Sequence, residues 1–149
     1  MKYKDIYIGF SEVPDEITLL INITGCPNRC PGCHSPWLWC DDGKELSTAV
    51  LSNLITANDG ITCICFMGGD SEPDQISVLA KYIKAHYPHK VAWYSGKNNI
   101  GAVNSEYFDY IKLGGYIREL GPLNSKTTNQ RMYKKIENTW VDITDIFWK

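Results

Sequence analysis

The sequence has little net charge and no long apolar run. Seventeen acidic side chains against fifteen basic ones leave a formal charge of -2, so no overall field would attract nucleic acid or an anionic membrane. No segment approaches the roughly 18 apolar residues of a membrane span, and the first residues lack the apolar core of a signal peptide. We therefore expect a cytoplasmic protein that binds neither nucleic acid nor membrane.

Internal repeats, low-complexity tracts and linkers are also missing from the sequence. With 44% hydrophobic and 21% charged residues, the chain has the composition of a folded protein and not of a disordered one. Its length of 149 residues is near that of one ordinary domain. We expect residues 1–149 to form a single domain around one core.

Apolar, β-branched runs alternate with amphipathic stretches along the chain. Helical spacing of apolar residues follows Ser47 and Asp74, which we predict as N-caps. The strand-like runs cover 16–24, 61–67, 90–96 and 110–115. This alternation predicts an α/β fold with a mainly parallel sheet, either doubly wound or a partial barrel, and of the two we predict an incomplete TIM-like barrel. In both architectures the working site lies at the carboxyl ends of the strands.

Three cysteines share one short loop after the first of these runs. Cys26, Cys30 and Cys33 have the spacing C-x3-C-x2-C. A cuboidal iron–sulfur cluster held by three thiolates keeps one iron without a protein ligand, and an open metal position can bind a substrate. Structural zinc would need a fourth ligand, for which His34 or Cys40 is nearest. A thioredoxin-like C-x-x-C pair would leave Cys26 unexplained, and buried thiols without a metal are the third alternative.

The motifs around these cysteines resemble the radical S-adenosylmethionine superfamily. The resemblance consists of the cysteine loop after the first strand and a Gly-Gly-acid turn after the second. Within that superfamily, the activating proteins of the anaerobic ribonucleoside-triphosphate reductase are similar in "GCPNRCPGCHSPWLW", "FMGGD", "YIKLGGYI" and "LNSKTTNQRMY". The similarity runs over most of the chain. Pro31-Gly32 before the third cysteine is typical of these activases, whereas many superfamily members carry an aromatic residue there.

The resemblance implies a role for each motif. Cys26, Cys30 and Cys33 would bind a [4Fe-4S] cluster, whose fourth iron would chelate the amino and carboxylate groups of S-adenosylmethionine. The implied cofactor-binding residues lie in the same loop and at the following strand ends: Gly32, Cys33, His34, Gly68, Gly69, Asp70, Ser95 and Lys112. A carboxylate at position 70 can pair with the ammonium of the cofactor. For a strand lysine, however, reaching out to solvent is the commoner arrangement.

The implied activity is radical chemistry on a protein substrate. A 5′-deoxyadenosyl radical would install a glycyl radical on the anaerobic ribonucleoside-triphosphate reductase, with a low-potential electron donor as a second partner. No catalytic residue beyond the cluster and cofactor is then required, and residues 1–149 would form a single radical SAM domain. The alternatives are a small radical SAM enzyme acting on a low-molecular-weight substrate, of the deazaguanine-forming type, and a non-catalytic iron–sulfur or zinc module.

The remaining cysteines and tryptophans have two interpretations each. Cys40, Cys63 and Cys65 could hold an auxiliary cluster, but free cysteine is among the most often buried residue types, so we predict core packing. Trp37 and Trp39 could cover the cofactor or belong to the core. The polar run from Asn124 to Arg131 matches a signature of the activases, without indicating what it contacts.

Overall fold

The computed structural model describes residues 1–28, 30, 36–99 and 105–148. These residues form an α/β fold, as predicted, with one mixed sheet of eight strands and two α-helices. The helices are α1 (Thr48–Thr56) and α2 (Pro73–His86). The strands are β1 (Lys2–Gly9), β2 (Thr18–Ile23), β3 (Lys44–Glu45), β4 (Cys63–Met67), β5 (Lys90–Tyr94), β6 (Tyr110–Leu113), β7 (Arg131–Ile136) and β8 (Thr139–Asp142).

The sheet has a parallel centre and antiparallel flanks. Its strand order is β3-β1-β2-β4-β5-β6-β7-β8. The strands β2, β4, β5 and β6 pair in parallel, and every other pairing is antiparallel. The prediction of a mainly parallel sheet is therefore wrong, because four of the seven pairings between the described strands are antiparallel. The curvature of an incomplete barrel stays a prediction.

The hairpin of β7 and β8 accounts for much of this difference. Its two-residue turn consists of Glu137 and Asn138, which have φ of 51° and 64°. Two positive φ angles give the type I′ turn, whose twist matches that of the flanking strands. The usual sequence signal for this turn ends in glycine, and Glu137-Asn138 lacks it. The sequence pattern therefore does not predict this hairpin.

The two helices begin in different ways. The hydroxyl of Ser47 accepts a hydrogen bond of 3.2 Å from the amide of Val50, which confirms the predicted N-cap of α1. The predicted cap at Asp74 is wrong, since α2 begins at Pro73 and Asp74 lies inside its first turn. Proline suits a first helical position because its missing N–H has no partner to lose there. No helix within the described ranges is long and apolar enough to cross a membrane.

Apolar side chains pack on both faces of the sheet. The alternation of side chains along β4 sends Ile64 to one face and Cys63 and Cys65 to the other. The face of Ile64 is covered by both helices, including Leu51 of α1 and Ile76 of α2. The opposite face carries a second cluster of buried side chains, and this is the face on which Tyr94 packs.

The amino-terminal edge of the parallel strands is closed by a buried carboxylate. Glu16 is only 7% exposed. It accepts hydrogen bonds from Thr62 (2.7 Å), Lys90 (3.0 Å) and Tyr110 (3.0 Å). Its hydrogen bond raises the pKa of Lys90. These hydrogen bonds hold the amino-terminal ends of β4, β5 and β6 together.

Candidate functional site

The cysteine loop leaves the sheet at the carboxyl end of β2. Gly25 turns the chain there with a φ of 71°. The amide of Cys26 donates to the carbonyl of Leu38 (2.9 Å), and the amide of Gly25 donates to the carbonyl of Cys40 (3.4 Å). Both ends of the loop are thus fastened together beside the sheet. Cys26 and Cys30 are half-buried free thiols.

Part of the predicted site cannot be placed. Gly32, Cys33 and His34 lie outside the described residues. In the part of the chain that the structure describes, no three or more His, Cys, Asp or Glu side chains are grouped so that they could hold a metal ion. The structure therefore describes the positions of two of the three predicted ligands, and the ligand role of all three stays a prediction.

The Gly68-Gly69 turn follows β4 at the same edge. These glycines have φ of 105° and 93°, in the region that L side chains rarely adopt. An added Cβ at Gly69 would lie 2.6 Å from a methyl carbon of Ile76 in α2. The carbonyl of Gly68 accepts a hydrogen bond of 2.7 Å from the indole of Trp93. The turn is therefore locked against the helix and β5, and the next residue, Asp70, faces the cysteine loop.

Asp70 connects the cysteine loop to the end of β5. One of its oxygens accepts hydrogen bonds from the side-chain amide of Asn28 (2.5 Å) and the backbone amide of Gly96 (2.8 Å). The other accepts from the hydroxyl of Ser95 (2.5 Å), which is fully buried. The structure thus brings the predicted residues Asp70 and Ser95 together.

Asn28 is a residue that the sequence interpretation missed. It lies between Cys26 and Cys30, and its amide also approaches the sulfur of Cys26 at 3.7 Å. An asparagine in a proline-rich loop reads as an ordinary turn residue. Its position inside the C-x3-C spacing was the available signal, because this spacing keeps Asn28 close to the predicted ligands Cys26 and Cys30.

Lys112 is buried at the end of β6. It is 8% exposed, so the alternative of a strand lysine reaching out to solvent is wrong. Its ammonium donates to the carbonyl of Gly114 (2.9 Å) and lies 5.4 Å from the centre of the Tyr94 ring. Burial lowers the pKa of Lys112 to about 8, although Asp70 and the thiols of the cysteine loop favour its charged form. The site therefore contains a buried cation beside a carboxylate and thiols.

Glycines keep the space around Cys30 open. An added Cβ at Gly115 would lie 3.1 Å from the sulfur of Cys30, and one at Gly96 would lie 2.5 Å from the amide of Asn28. The side-chain amide of Asn129 donates to the carbonyl of Gly115 (3.1 Å). The polar run from Asn124 to Arg131 therefore contacts this edge of the sheet through Asn129.

A cleft of about 180 Å³ opens at this edge, between the carboxyl ends of β2, β4, β5 and β6. Trp39 lines it, whereas Trp37 is 53% exposed and lies outside it. The predicted site residues or their neighbours that line it are Cys26, Gly68, Tyr94, Ser95, Gly96 and Lys112. Free thiols are the ligands that iron–sulfur clusters prefer, and a Cβ at Gly115 would crowd Cys30. The described thiols Cys26 and Cys30 are thus of the chemical type that an iron–sulfur cluster needs.

The other three described cysteines lie apart from this cleft. Cys63 and Cys65 are fully buried, which confirms the predicted core packing for this pair. Burial raises the pKa of both thiols, so they remain protonated in the metal-free folded chain. Cys40 is exposed, and the prediction of core packing is wrong for it.

We expect the double variant Cys63→Ala, Cys65→Ala to retain the full iron content of the wild type. Each truncation removes one buried sulfur, so the free energy of unfolding should fall by about 1 kcal/mol per site. Iron per chain, measured after anaerobic reconstitution, tests the metal content, and urea unfolding tests the stability. Loss of about four irons per chain would show that the pair does hold a cluster.

The chain is similar to known proteins over most of its length. The family described as "4Fe-4S single cluster domain" matches residues 17–117, which include Cys26, Cys30, Asp70 and Lys112. The anaerobic ribonucleoside-triphosphate reductase-activating protein of Enterobacteria phage T4 is 24% identical over 135 residues, covering 82% of this chain and 86% of the phage protein. No solved structure gives a significant match. The resemblance to the reductase-activating proteins that the motifs indicated is confirmed.

Proposed function

The chain belongs to the 4Fe-4S single cluster domain family, and we propose that it is a radical S-adenosylmethionine enzyme that installs a glycyl radical on an anaerobic ribonucleoside-triphosphate reductase. One observation carries the proposal. Cys26, Gly68 and the buried Lys112 line one cleft at the carboxyl edge of the parallel strands, and Asp70 is joined to the cysteine loop through Asn28. The reductase as partner is supported by the name of the phage relative.

The cysteine loop would hold the cluster. We assign Cys26, Cys30 and Cys33 as its ligands, with one iron left for a small-molecule ligand. When bound, the cluster and S-adenosylmethionine supply reductive cleavage to methionine and a 5′-deoxyadenosyl radical, with one electron from a low-potential donor. Asn28 fixes the loop to Asp70, and the hydrogen bond from Cys26 to Leu38 holds the two ends of the loop together. The protein then orients and shields the reacting groups, and no general base is needed.

Asp70 would receive the ammonium of S-adenosylmethionine. A carboxylate has about four acceptor positions on its two oxygens, and Asn28, Ser95 and Gly96 occupy three of them. Among the described residues, no partner occupies the fourth position, which would serve a charge-assisted hydrogen bond to the ligand. Lys112, which lines the cleft, would face negative charge from the cofactor carboxylate or the cluster thiolates.

The finer architecture is part of the same proposal. We assign residues 1–149 to a single radical SAM domain whose sheet curves into an incomplete TIM-like barrel. The helices cover one face of the sheet, and Cys63, Cys65 and Tyr94 pack on the other, which would be the inside of such a barrel. The cofactor neighbours Gly32, Cys33 and His34 would complete the cleft from the cysteine loop.

Anaerobic turnover tests the function directly. The reconstituted protein is reduced with dithionite and given S-adenosylmethionine, with and without the reductase. We expect 5′-deoxyadenosine in both mixtures, and the electron paramagnetic resonance signal of a glycyl radical only with the reductase. A reductase whose radical-forming glycine is replaced by alanine is the matched control and should give no such signal. Absence of 5′-deoxyadenosine from every mixture would rule out the radical chemistry.

A further inference from the structure

A second and larger cleft lies on the face of the sheet opposite the helices. Its volume is about 640 Å³, within the range of roughly 300–1,000 Å³ that is usual for ligand clefts. Three segments form its walls: the loop after β1, the loop around Leu123, and the 3-10 turn near the carboxyl terminus. The residues that the argument uses are Phe10, Glu12, Asp15, Tyr94, Ile146 and Phe147.

Tyr94 separates this cleft from the smaller cleft at the carboxyl edge of the strands, called the cofactor cleft below. Its side chain lines both of them. The hydroxyl donates to the backbone carbonyl of Glu12, on the wall of the large cleft, and the ring lies under the ammonium of Lys112 at 5.4 Å. Anything bound in the large cleft is therefore one side chain away from the cofactor.

The walls of the large cleft are apolar and acidic. Phe10, at 71%, is the most exposed large apolar side chain among the described residues, and Ile146 is 41% exposed, so the cleft offers apolar surface that a bound segment could cover. Glu12 and Asp15 add two carboxylates, and among the described residues that line the cleft none is basic. This combination suits an apolar segment that carries a positively charged side chain.

We propose that the large cleft receives the glycine-bearing segment of the partner reductase in extended conformation, and that a basic side chain of that segment pairs with Glu12 and Asp15. This inference rests on the proposed function and adds to it the place and charge of the docking segment. Tyr94 then stands between the bound segment and the cofactor, so the glycine can approach the radical only over that side chain. Complementary charge at the rim of a docking site speeds encounter and fixes register more than it adds affinity.

A charge-removal variant tests this docking site. The double variant Glu12→Gln, Asp15→Asn keeps the shape of both side chains, and asparagine tolerates the φ of 66° at position 15. The matched control, Asp59→Asn with Glu137→Gln, removes two exposed carboxylates outside the cleft. Two measurements are made on each protein: the reductase concentration for half-maximal glycyl radical formation, and 5′-deoxyadenosine production without reductase.

We expect the half-saturating reductase concentration of the double variant to rise about fivefold in dilute buffer, as for two rim ion pairs. For the wild type it should rise between about 20 mM and 300 mM salt, because salt screens such pairs, and the double variant should lose this dependence. Production of 5′-deoxyadenosine without reductase should stay equal in all three proteins.

The outcomes separate the two proposals. If the double variant and the wild type have equal half-saturating concentrations and equal salt dependence, the docking site is wrong while the function stands. A fall in the double variant's 5′-deoxyadenosine production with unchanged half-saturation also overturns it, since the carboxylates would then act on the cofactor site. A wild type that makes no 5′-deoxyadenosine instead overturns the proposed function.

Phe10→Ala removes an exposed side chain and should fold normally. We expect it to raise the half-saturating reductase concentration about threefold by loss of apolar contact.

Discussion

Replacing either Cys26 or Cys30 with alanine should abolish the cluster. Three thiolates are the smallest ligand set that keeps a cuboidal cluster with one open iron, and a half-buried alanine offers no replacement ligand. Visible absorbance of the reconstituted protein, iron per chain and 5′-deoxyadenosine production should all fall to background. The reductase should then show no glycyl radical signal. We expect the same for Cys33→Ala, on the sequence pattern alone.

The control for this experiment is Cys40→Ala. Cys40 lies at the other end of the same loop, and its carbonyl accepts from Gly25, a contact that alanine retains. Its thiol is exposed, so its loss should change neither iron content nor activity. If Cys40→Ala lost the cluster, Cys40 would be a fourth ligand, as in the structural zinc alternative, and the three-cysteine assignment would be incorrect.

The sequence predicted the parallel centre of the sheet better than its flanks. The strands β2 and β4 are covered on both faces, so their residues form continuous apolar runs that stand out from the rest of the chain. β1 and β7 are only partly buried, and their sequences mix lysines with aromatic and branched residues. Such strands are stabilised by pairing with a neighbour in space, which a local pattern does not show.

The candidate site was predictable where backbone geometry demanded a residue type. Gly68 and Gly69 adopt positive φ, and their position after β4 already placed them at the working edge. The partners of Asp70 were less accessible to prediction, because Asn28 and Gly96 are distant in sequence and meet only when the cysteine loop folds over β5. The burial of Lys112 likewise depends on Tyr94 and Gly114, and the sequence alone favoured an exposed lysine.

Lys112→Met should stabilise the cluster-free protein and weaken S-adenosylmethionine binding. Methionine fills a similar volume without a charge, and replacing a buried ionic group by an apolar one often stabilises by about 1–4 kcal/mol. In the loaded enzyme the same change leaves negative charge in the cleft without a partner. This costs about 2 kcal/mol or more, which corresponds to a roughly 30-fold weaker affinity for S-adenosylmethionine. Lys81→Met, at an exposed position on α2, is the matched control. It should change neither the free energy of unfolding nor the affinity for S-adenosylmethionine.

The stabilisation should depend on pH in a defined direction. The pKa of Lys112 is about 8 in the folded chain against an ordinary 10.5. Below pH 8 both states carry the proton, and the folded wild type bears the full cost of a buried charge. Between pH 8 and 10.5 the unfolded chain binds more protons than the folded one, so the wild type gains stability with rising pH. The advantage of Lys112→Met in urea unfolding should therefore be greatest below pH 8 and vanish towards pH 10.5.

An advantage that stayed constant across this range would mean that Lys112 is already neutral at low pH or is not buried. Lys112 would then not be the cation of the cleft.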